Sequence, residues 1–407
     1  MTKPTYLQGD QLLARFQALD AFLRQHQALW RPRPFTYLHL PWEESHPELG
    51  AWLRGRTLED AEACQQHPEC LSAPAPFPSL AEQACRLSEV GELPDVGLHS
   101  AGHRLDANVP GRKWQQIEAF GRRLGFREPA RHWLDWCSGK GHLGRRLLQP
   151  GQQLTCLEYD AELVAAGHDL SAHHGLSARH VHQDVMAADS ARHLDADKSV
   201  VALHACGDLH VRLLRLASEQ GCRQLAVAPC CYNRIQADAY QPLSTTAQAS
   251  KLELSLTDLG LPLSEAVTAG ARVRRQRDLS MARRLGFDLL QREQRGSDDY
   301  LPTPSLPVSW LDKPFAEYCR DLAELKQLVV QGEPDWLALE AAGWERLAVV
   351  RNLERVRNLF RRPLEMWLVL DRALFLCEQG YDVRLGVFCQ QPLTPRNLML
   401  LAERPGG

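Results

Sequence analysis

The chain has 407 residues, 44% hydrophobic and 24% charged, an ordinary globular composition with apolar material for two or three structural units. A formal net charge of -3 excludes a global basic field, so any contact with nucleic acid has to rest on local patches. No basic stretch followed by an apolar one opens the chain, and no apolar run approaches the roughly 18 residues a bilayer crossing needs, so a cytoplasmic protein is expected.

Residues 1–125 read as an N-terminal helical region with proline-rich loops. Apolar residues recur at helical spacing in Gln11-Leu-Leu-Ala-Arg-Phe-Gln-Ala-Leu-Asp-Ala-Phe-Leu, and Pro32, Pro34 and Pro41 then interrupt the pattern. Cys64, His67 and Cys70, with Cys85 further on, have zinc-ligand chemistry, but their spacing is not a recurrent finger pattern and no metal site is assigned. The remaining cysteines are dispersed, several inside strand-like runs, as suits reduced, buried thiols. Pro110-Gly-Arg-Lys-Trp should open a helix running into the core.

Over 126–240 short apolar strands alternate with helical stretches. Strands are expected at 132–136, 153–159, 178–184, 198–204 and 224–229, with helices at 143–149, 161–174 and 211–220 between them. That alternation implies right-handed crossovers and a parallel sheet covered on both faces. Residues 241–340, mixed and rich in Arg and Pro, interrupt it as an insert expected to cap the substrate side together with the N-terminal region. The core resumes over 341–407 with helices at 344–362 and 364–378 and two strands, 383–389 and 397–403, whose short connection predicts an antiparallel hairpin. The fold class is therefore α/β, a Rossmann-like class I methyltransferase sheet of parallel strands plus a C-terminal antiparallel hairpin.

Asp135-Trp-Cys137-Ser-Gly139-Lys140-Gly141-His-Leu-Gly144 follows the first of these strands and opens a helix. Glycines there let the backbone turn sharply and approach a ligand, and the spacing alone also fits the dinucleotide fingerprint. Asp135 decides between the two readings. A carboxylate at the strand end suits the cationic amino group of S-adenosylmethionine and repels a pyrophosphate. Glu158, ending the second strand, suits the ribose hydroxyls, and Asp184, ending the third, suits the adenine amino group. Either acid alone also reads as a helix cap, but three acids at successive strand ends favour a ligand in one crevice. Cys137, Gly139, Lys140, Gly141 and His204 complete the expected cofactor site.

The next two strands end in Leu203-His204-Ala-Cys206-Gly-Asp208 and Pro229-Cys230-Cys231-Tyr232-Asn233. Their ends should line the acceptor pocket. His204 or Asp208 can take a proton from the acceptor and Tyr232 can stack on a planar one, while Cys206, Cys230 and Cys231 read equally as small buried hydrophobes. Outside the sheet, Arg272, Arg274 and Arg275 form one basic cluster, and Arg355 and Arg357 belong to another; both can hold RNA phosphates. The competing reading is a solvated helix face paired with Glu345 and Glu354.

These motifs resemble those of the methyltransferase-like protein 25 group, which includes ribosomal RNA adenine dimethylase domain-containing proteins and glutathione S-transferase C-terminal domain-containing proteins. The matching pieces are the Asp135–Leu143 loop, Leu203-His-Ala-Cys-Gly-Asp-Leu, Pro229-Cys-Cys-Tyr, Leu370-Asp-Arg-Ala-Leu-Phe-Leu-Cys-Glu-Gln-Gly and Thr394-Pro-Arg-Asn-Leu, with Arg112-Lys113 as a short basic lead-in. The paired strand ends are also similar to tRNA acceptor-stem 2′-O-methyltransferases, which carry Cys-Cys-His-His where this chain has Cys230-Cys231-Tyr232-Asn233. The resemblance implies an S-adenosylmethionine-dependent methyltransferase acting on rRNA or tRNA. The other readings are a protein or small-molecule methyltransferase, an NAD(P)-dependent oxidoreductase, and a non-catalytic module that binds S-adenosylmethionine.

Overall fold

The computed structural model describes residues 6–63, 71–102, 104–264 and 271–405. The chain divides into two compact units, each built from separated stretches. The first comprises 1–24, 87–263 and 362–407, and the second 25–86 and 264–361. The boundaries expected near 125, 240 and 340 fall elsewhere, because helical periodicity is local and does not reveal which helices pack together.

The first unit is built on one eight-stranded sheet. Its strands are β1 (Leu7–Gln8), β2 (His132–Trp136), β3 (Gln153–Glu158), β4 (Ala178–His182), β5 (Lys198–Cys206), β6 (Gln224–Cys230), β7 (Asp382–Val387) and β8 (Leu398–Glu403). They lie in the order β1-β7-β8-β6-β5-β2-β3-β4. Strands β4, β3, β2, β5 and β6 pair in parallel, β8 runs antiparallel to β6 and β7, and β1 pairs antiparallel with β7. The parallel half with its terminal hairpin is the arrangement expected of a class I methyltransferase. β1 is too short to show as a periodic pattern.

Both faces of the parallel half are covered, so its strands read as apolar runs: Leu134, Val200, Val201, Ala226 and Ala228 are fully buried. On one side Ile117 and Phe120, from the Gly111–Gly121 helix, join Trp133, Leu147, Met399 and Leu401 in a continuous core. The strand order reverses between β2 and β5. Ligands in open α/β sheets bind at such a switch, outside the carboxyl ends of the strands.

The helix Arg361–Glu378 carries a polar group inward. Asp371 is fully buried and accepts from the backbone N–H of Leu243 at 2.9 Å, from the N–H and Oγ of Ser244 at 2.7 Å each, and from the Tyr240 hydroxyl. Arg372 donates to Tyr240 Oη at 3.0 Å and to His210 Nε2 at 2.7 Å, which leaves His210 Nδ1–H to donate to the carbonyl of Ala205 at 2.9 Å. The Leu370-Asp-Arg-Ala motif is thus a tie between the loop after β6 and the end of β5.

In the second unit the long helices Ala271–Arg295 and Trp336–Asn358 pack through Ala282, Leu285, Leu347 and Val350. A further cluster gathers Phe287, Phe315, Tyr318 and Leu322. Among the described residues no helix is long and apolar enough to cross a membrane.

Candidate active site

Asp135, one residue before the end of β2, points its carboxylate into protein and is 2% exposed. Its Oδ2 accepts from the N–H of Gly144 at 2.9 Å. Burial pushes its pKa up to about 7, while that hydrogen bond and the charges of Arg145 and Lys113 pull the other way and Glu158 adds to the rise. A buried acid with one oxygen committed to a helix N–H is poised to take a cation. Gly141 turns the chain with φ +72°, and a Cβ there would meet His180 at 2.6 Å and Cys156 at 3.0 Å, so its smallness serves the packing of the turn. At Gly139, φ +57°, an added Cβ would find open space, so the turn is open on that side.

Glu158 ends β3 and reaches across to the same turn. Oε2 accepts from the N–H of Gly139 at 2.8 Å, and Oε1 from those of Tyr159 and Asp160 at 2.9 and 3.0 Å. Asp184 stands two residues beyond β4, exposed, with Oδ1 accepting from the N–H of Met186 at 2.9 Å. Cys137 has a left-handed backbone, and burial pushes its thiol up to about 12, so it stands as a neutral thiol beside the turn. Lys140 is exposed and contributes its carbonyl, which accepts from Arg145 at 2.5 Å. Tyr159, 70% exposed and 6.3 Å from the ring of His182, is an exposed aromatic residue beside the strand end that sequence reasoning missed. Its signal was an aromatic residue directly after the strand-ending acid.

At the ends of β5 and β6 the geometry is tighter. His204 Nε2 lies 2.7 Å from Gln116 Oε1, and Gln116 Nε2 donates to the carbonyl of Leu393 at 3.2 Å. The second contact fixes the amide orientation, so His204 Nε2 carries the proton and Nδ1 keeps the lone pair. Solvent reaches part of the ring, yet crowding around the rest and the charges of Lys113 and Arg396 hold its pKa below the ordinary imidazole value. Asp208 is committed to structure, its Oδ2 accepting from the N–H of Gln236 at 2.8 Å. Cys206, Cys230 and Cys231 come together as a group, with Cys206 and Cys230 Sγ atoms 3.5 Å apart. Hydrogen bonds from its two neighbours and the charge of Arg234 bring the Cys206 thiol down to about 6, and the hydrogen bond to Cys206, then burial and the Cys206 charge, push Cys230 up.

Tyr232 is placed differently from the sequence expectation. Its ring is fully buried, with the hydroxyl 3.3 Å from the Pro229 carbonyl and 3.4 Å from Glu365, so no face is offered to an acceptor. The cysteine pair before it changes chain direction and turns the ring inward. Instead Lys113 and Arg396 bear on His204, which Gln116 contacts, and Arg234 bears on Cys206. Arg234 follows the Cys-Cys-Tyr strand end, and Lys113 and Arg396 lie in the Arg112-Lys113 and Thr394-Pro-Arg-Asn-Leu pieces.

Gly207 locks these two strand ends together. It sits at φ +53°, ψ -123°, a conformation open essentially to glycine, and donates to the carbonyl of Cys230 at 3.0 Å. A Cβ there would fall on the carbonyl of Arg234. Gly207→Ala is expected to cost about 3 kcal/mol or more. The urea midpoint measures it, and an unchanged midpoint would show that the loop yields.

The arginine clusters divide. Arg272, Arg274 and Arg275 are exposed along the first turns of their helix. Arg355 and Arg357 are buried, donating to the carbonyls of Asp60 and Trp30 respectively, the latter at 2.9 Å. Neither is a solvated face; both bind the helix to earlier parts of its own unit. Cys64, His67 and Cys70 lie outside the described residues, and Cys85 is exposed.

A parallel sheet closed by an antiparallel hairpin, with acids at or just beyond the ends of three adjacent strands, defines a class I methyltransferase architecture. Residues 112–238 match the family model described as a methyltransferase domain. No curated protein matches the chain. Among solved structures, the cyclopropane synthase MmaA2 from Mycobacterium tuberculosis is 11% identical, covering 86% of this chain and 98% of its own, with a TM-score of 0.26. A superposition that loose supports no reading of substrate. The family match spans residues 112–238, and the site has to supply the rest.

Proposed function

We propose that the protein transfers the methyl group of S-adenosylmethionine to RNA. The observation that carries the cofactor is the buried carboxylate of Asp135 beside an open glycine turn, with Glu158 and Asp184 at the neighbouring strand ends. Asp135 would hold the ammonium group, Glu158 the ribose hydroxyls and Asp184 the adenine amino group. S-adenosylmethionine supplies an electrophilic methyl on its sulfonium, so the chain's task is to position the acceptor and remove its proton. His204 Nδ1 is the base the hydrogen bonds leave available, and Gln116 is its positioning residue. Asp208 is spent on the loop.

Calorimetric titration with S-adenosylmethionine and with NADH tests the cofactor. Saturable binding of the first alone, lost in Glu158→Ala, supports the reading; folded protein that binds neither overturns it. Methyl transfer should fall with acidification, because the base must be neutral. With the His204 pKa held low, half of the rate should survive to a pH below the usual imidazole value of about 6.5. In His204→Gln that titration disappears together with most of kcat.

Two observations favour an anionic acceptor. Lys113 and Arg396 bear on His204 and Arg234 on Cys206, and the second unit exposes Arg272, Arg274 and Arg275 on one helix. Neutralising those three to Gln should weaken RNA binding and lower the slope of log affinity against log salt by about 2. RNA binding indifferent to both salt and substitution would remove RNA as the acceptor.

A further inference from the structure

The thiols of Cys206, Cys230 and Cys231 have a geometry that neither cofactor binding nor proton removal requires. Their Sγ atoms all lie within 4.8 Å of one another, with 3.5 Å between Cys206 and Cys230. Three sulfurs on a tetrahedron with zinc–sulfur bonds of about 2.3 Å would stand roughly 3.8 Å apart. We propose that the three cysteines form a site for a thiophilic divalent cation, zinc in chemical class, with the fourth corner left to water or to a ligand from the acceptor side.

The backbone is bent to make the cluster. Successive residues of a strand point to opposite faces, so adjacent Cys230 and Cys231 should diverge. Cys231 instead takes a left-handed φ of 48°, which ends β6 and returns its side chain to the side of Cys230. On β5 the register shifts between Leu203 and Cys206, His204 has φ 68°, and Cys206 lands opposite Cys230. Two non-glycine residues in this region cost about 1–2 kcal/mol each, a strain that closely packed hydrophobes would not need.

The cluster is also held rigidly. Gly207 donates to the carbonyl of Cys230, Arg234 to that of Cys231 at 2.9 Å, and Asp208 to that of Arg234 at 3.0 Å. Ligands fixed before the ion arrives are what a selective site requires, and sulfur ligands select soft cations. Cys230 is buried while Cys206 and Cys231 are partly exposed, so an ion has a way in and the fourth corner faces outward. The exposed guanidinium of Arg234 beside Cys206 offsets part of the negative charge of three thiolates around a divalent ion. The proposal stands apart from the methyl-transfer reading, because it concerns binding of the ion alone.

The test uses the full chain, reduced and stripped with a chelator. Zinc should slow alkylation of Cys206, Cys230 and Cys231 roughly tenfold or more, read peptide by peptide by mass spectrometry. Cobalt(II) should give the sulfur-to-metal charge-transfer band and the visible bands of a tetrahedral thiolate site. Both signals should be lost in Cys206→Ser and Cys231→Ser and kept in Cys64→Ser/Cys70→Ser, which separates this site from ligands elsewhere. Equal alkylation with and without zinc overturns the proposal in the wild type, whatever the variants do. So does a cobalt spectrum that survives in folded Cys206→Ser and Cys231→Ser, or a Cys206–Cys230 disulfide whose reduction restores no metal uptake.

Discussion

At pH 8 an Asp135→Asn protein is expected to unfold at a higher temperature than the parent chain and to bind no S-adenosylmethionine. The carboxyl is fully buried and its pKa is pushed up to about 7, above the unfolded value near 3.9. An acid whose pKa rises on folding destabilises the folded state as pH increases between those two values. The gap between variant and parent should therefore be absent below about pH 4, widen up to about pH 7 and stay constant beyond it, reaching on the order of 4 kcal/mol. Asparagine keeps an oxygen for the Gly144 N–H, so the hydrogen bond does not confound the comparison. Thermal unfolding of the ligand-free proteins across that range checks the trend, and coincident curves at pH 8 would mean that Asp135 ionises like an exposed acid. Binding supplies the matching half. A ligand ammonium requires the carboxylate, so titration below pH 7 should release close to one proton, read from heats in two buffers of different ionisation enthalpy.

Arg372→Met should be the most damaging single change to the stability of the first unit. Arg372 is 1% exposed and donates to the Tyr240 hydroxyl, which in turn donates to buried Asp371, and to the carbonyl of Leu368, so its removal takes a buried donor from both acceptors. Leaving a buried acceptor without its donor costs about 1–3 kcal/mol each. His210 also loses the donor that fixes its tautomer, and with it the grip on the Ala205 carbonyl between His204 and Cys206. The urea midpoint should fall accordingly, and Asp371→Asn, which retains an acceptor for the Ser244 N–H, should lose less. If Arg372→Met unfolded at the parent's midpoint, the buried network would be dispensable.

The parallel half of the sheet was legible because each strand is a local event. His132–Trp136 runs over the residues expected, and β3 to β8 end within about two residues of expectation. The terminal hairpin followed from a short loop. The turn at Asp135 and Gly139 was legible because it lies on a motif of nearly consecutive residues, and Glu158 because it closes the next apolar run. What sequence could not show depends on long-range packing. Leu7–Gln8 joins the sheet only through its partner in β7, and the described residues of 25–86 fall in one compact unit with those of 264–361. Likewise Tyr232 and the buried Arg355 and Arg357 look, as residue types, like surface recognition groups. Only the loop reversal at Cys231 and the carbonyls awaiting the two arginines show otherwise.

The position of β8 bears on how the protein is made. This strand, at residues 398–403, lies between β6 and β7, so the middle of the sheet is filled by its last strand to leave the ribosome. Until then β6, made about 170 residues earlier, exposes an apolar pairing edge, the kind of surface that chaperones cover and that aggregation exploits. Biosynthesis can assemble the parallel strands that carry Asp135 and Glu158 well ahead of the hairpin. A nascent chain stalled before β8 should accordingly be recognised by holdases rather than released as a folded domain.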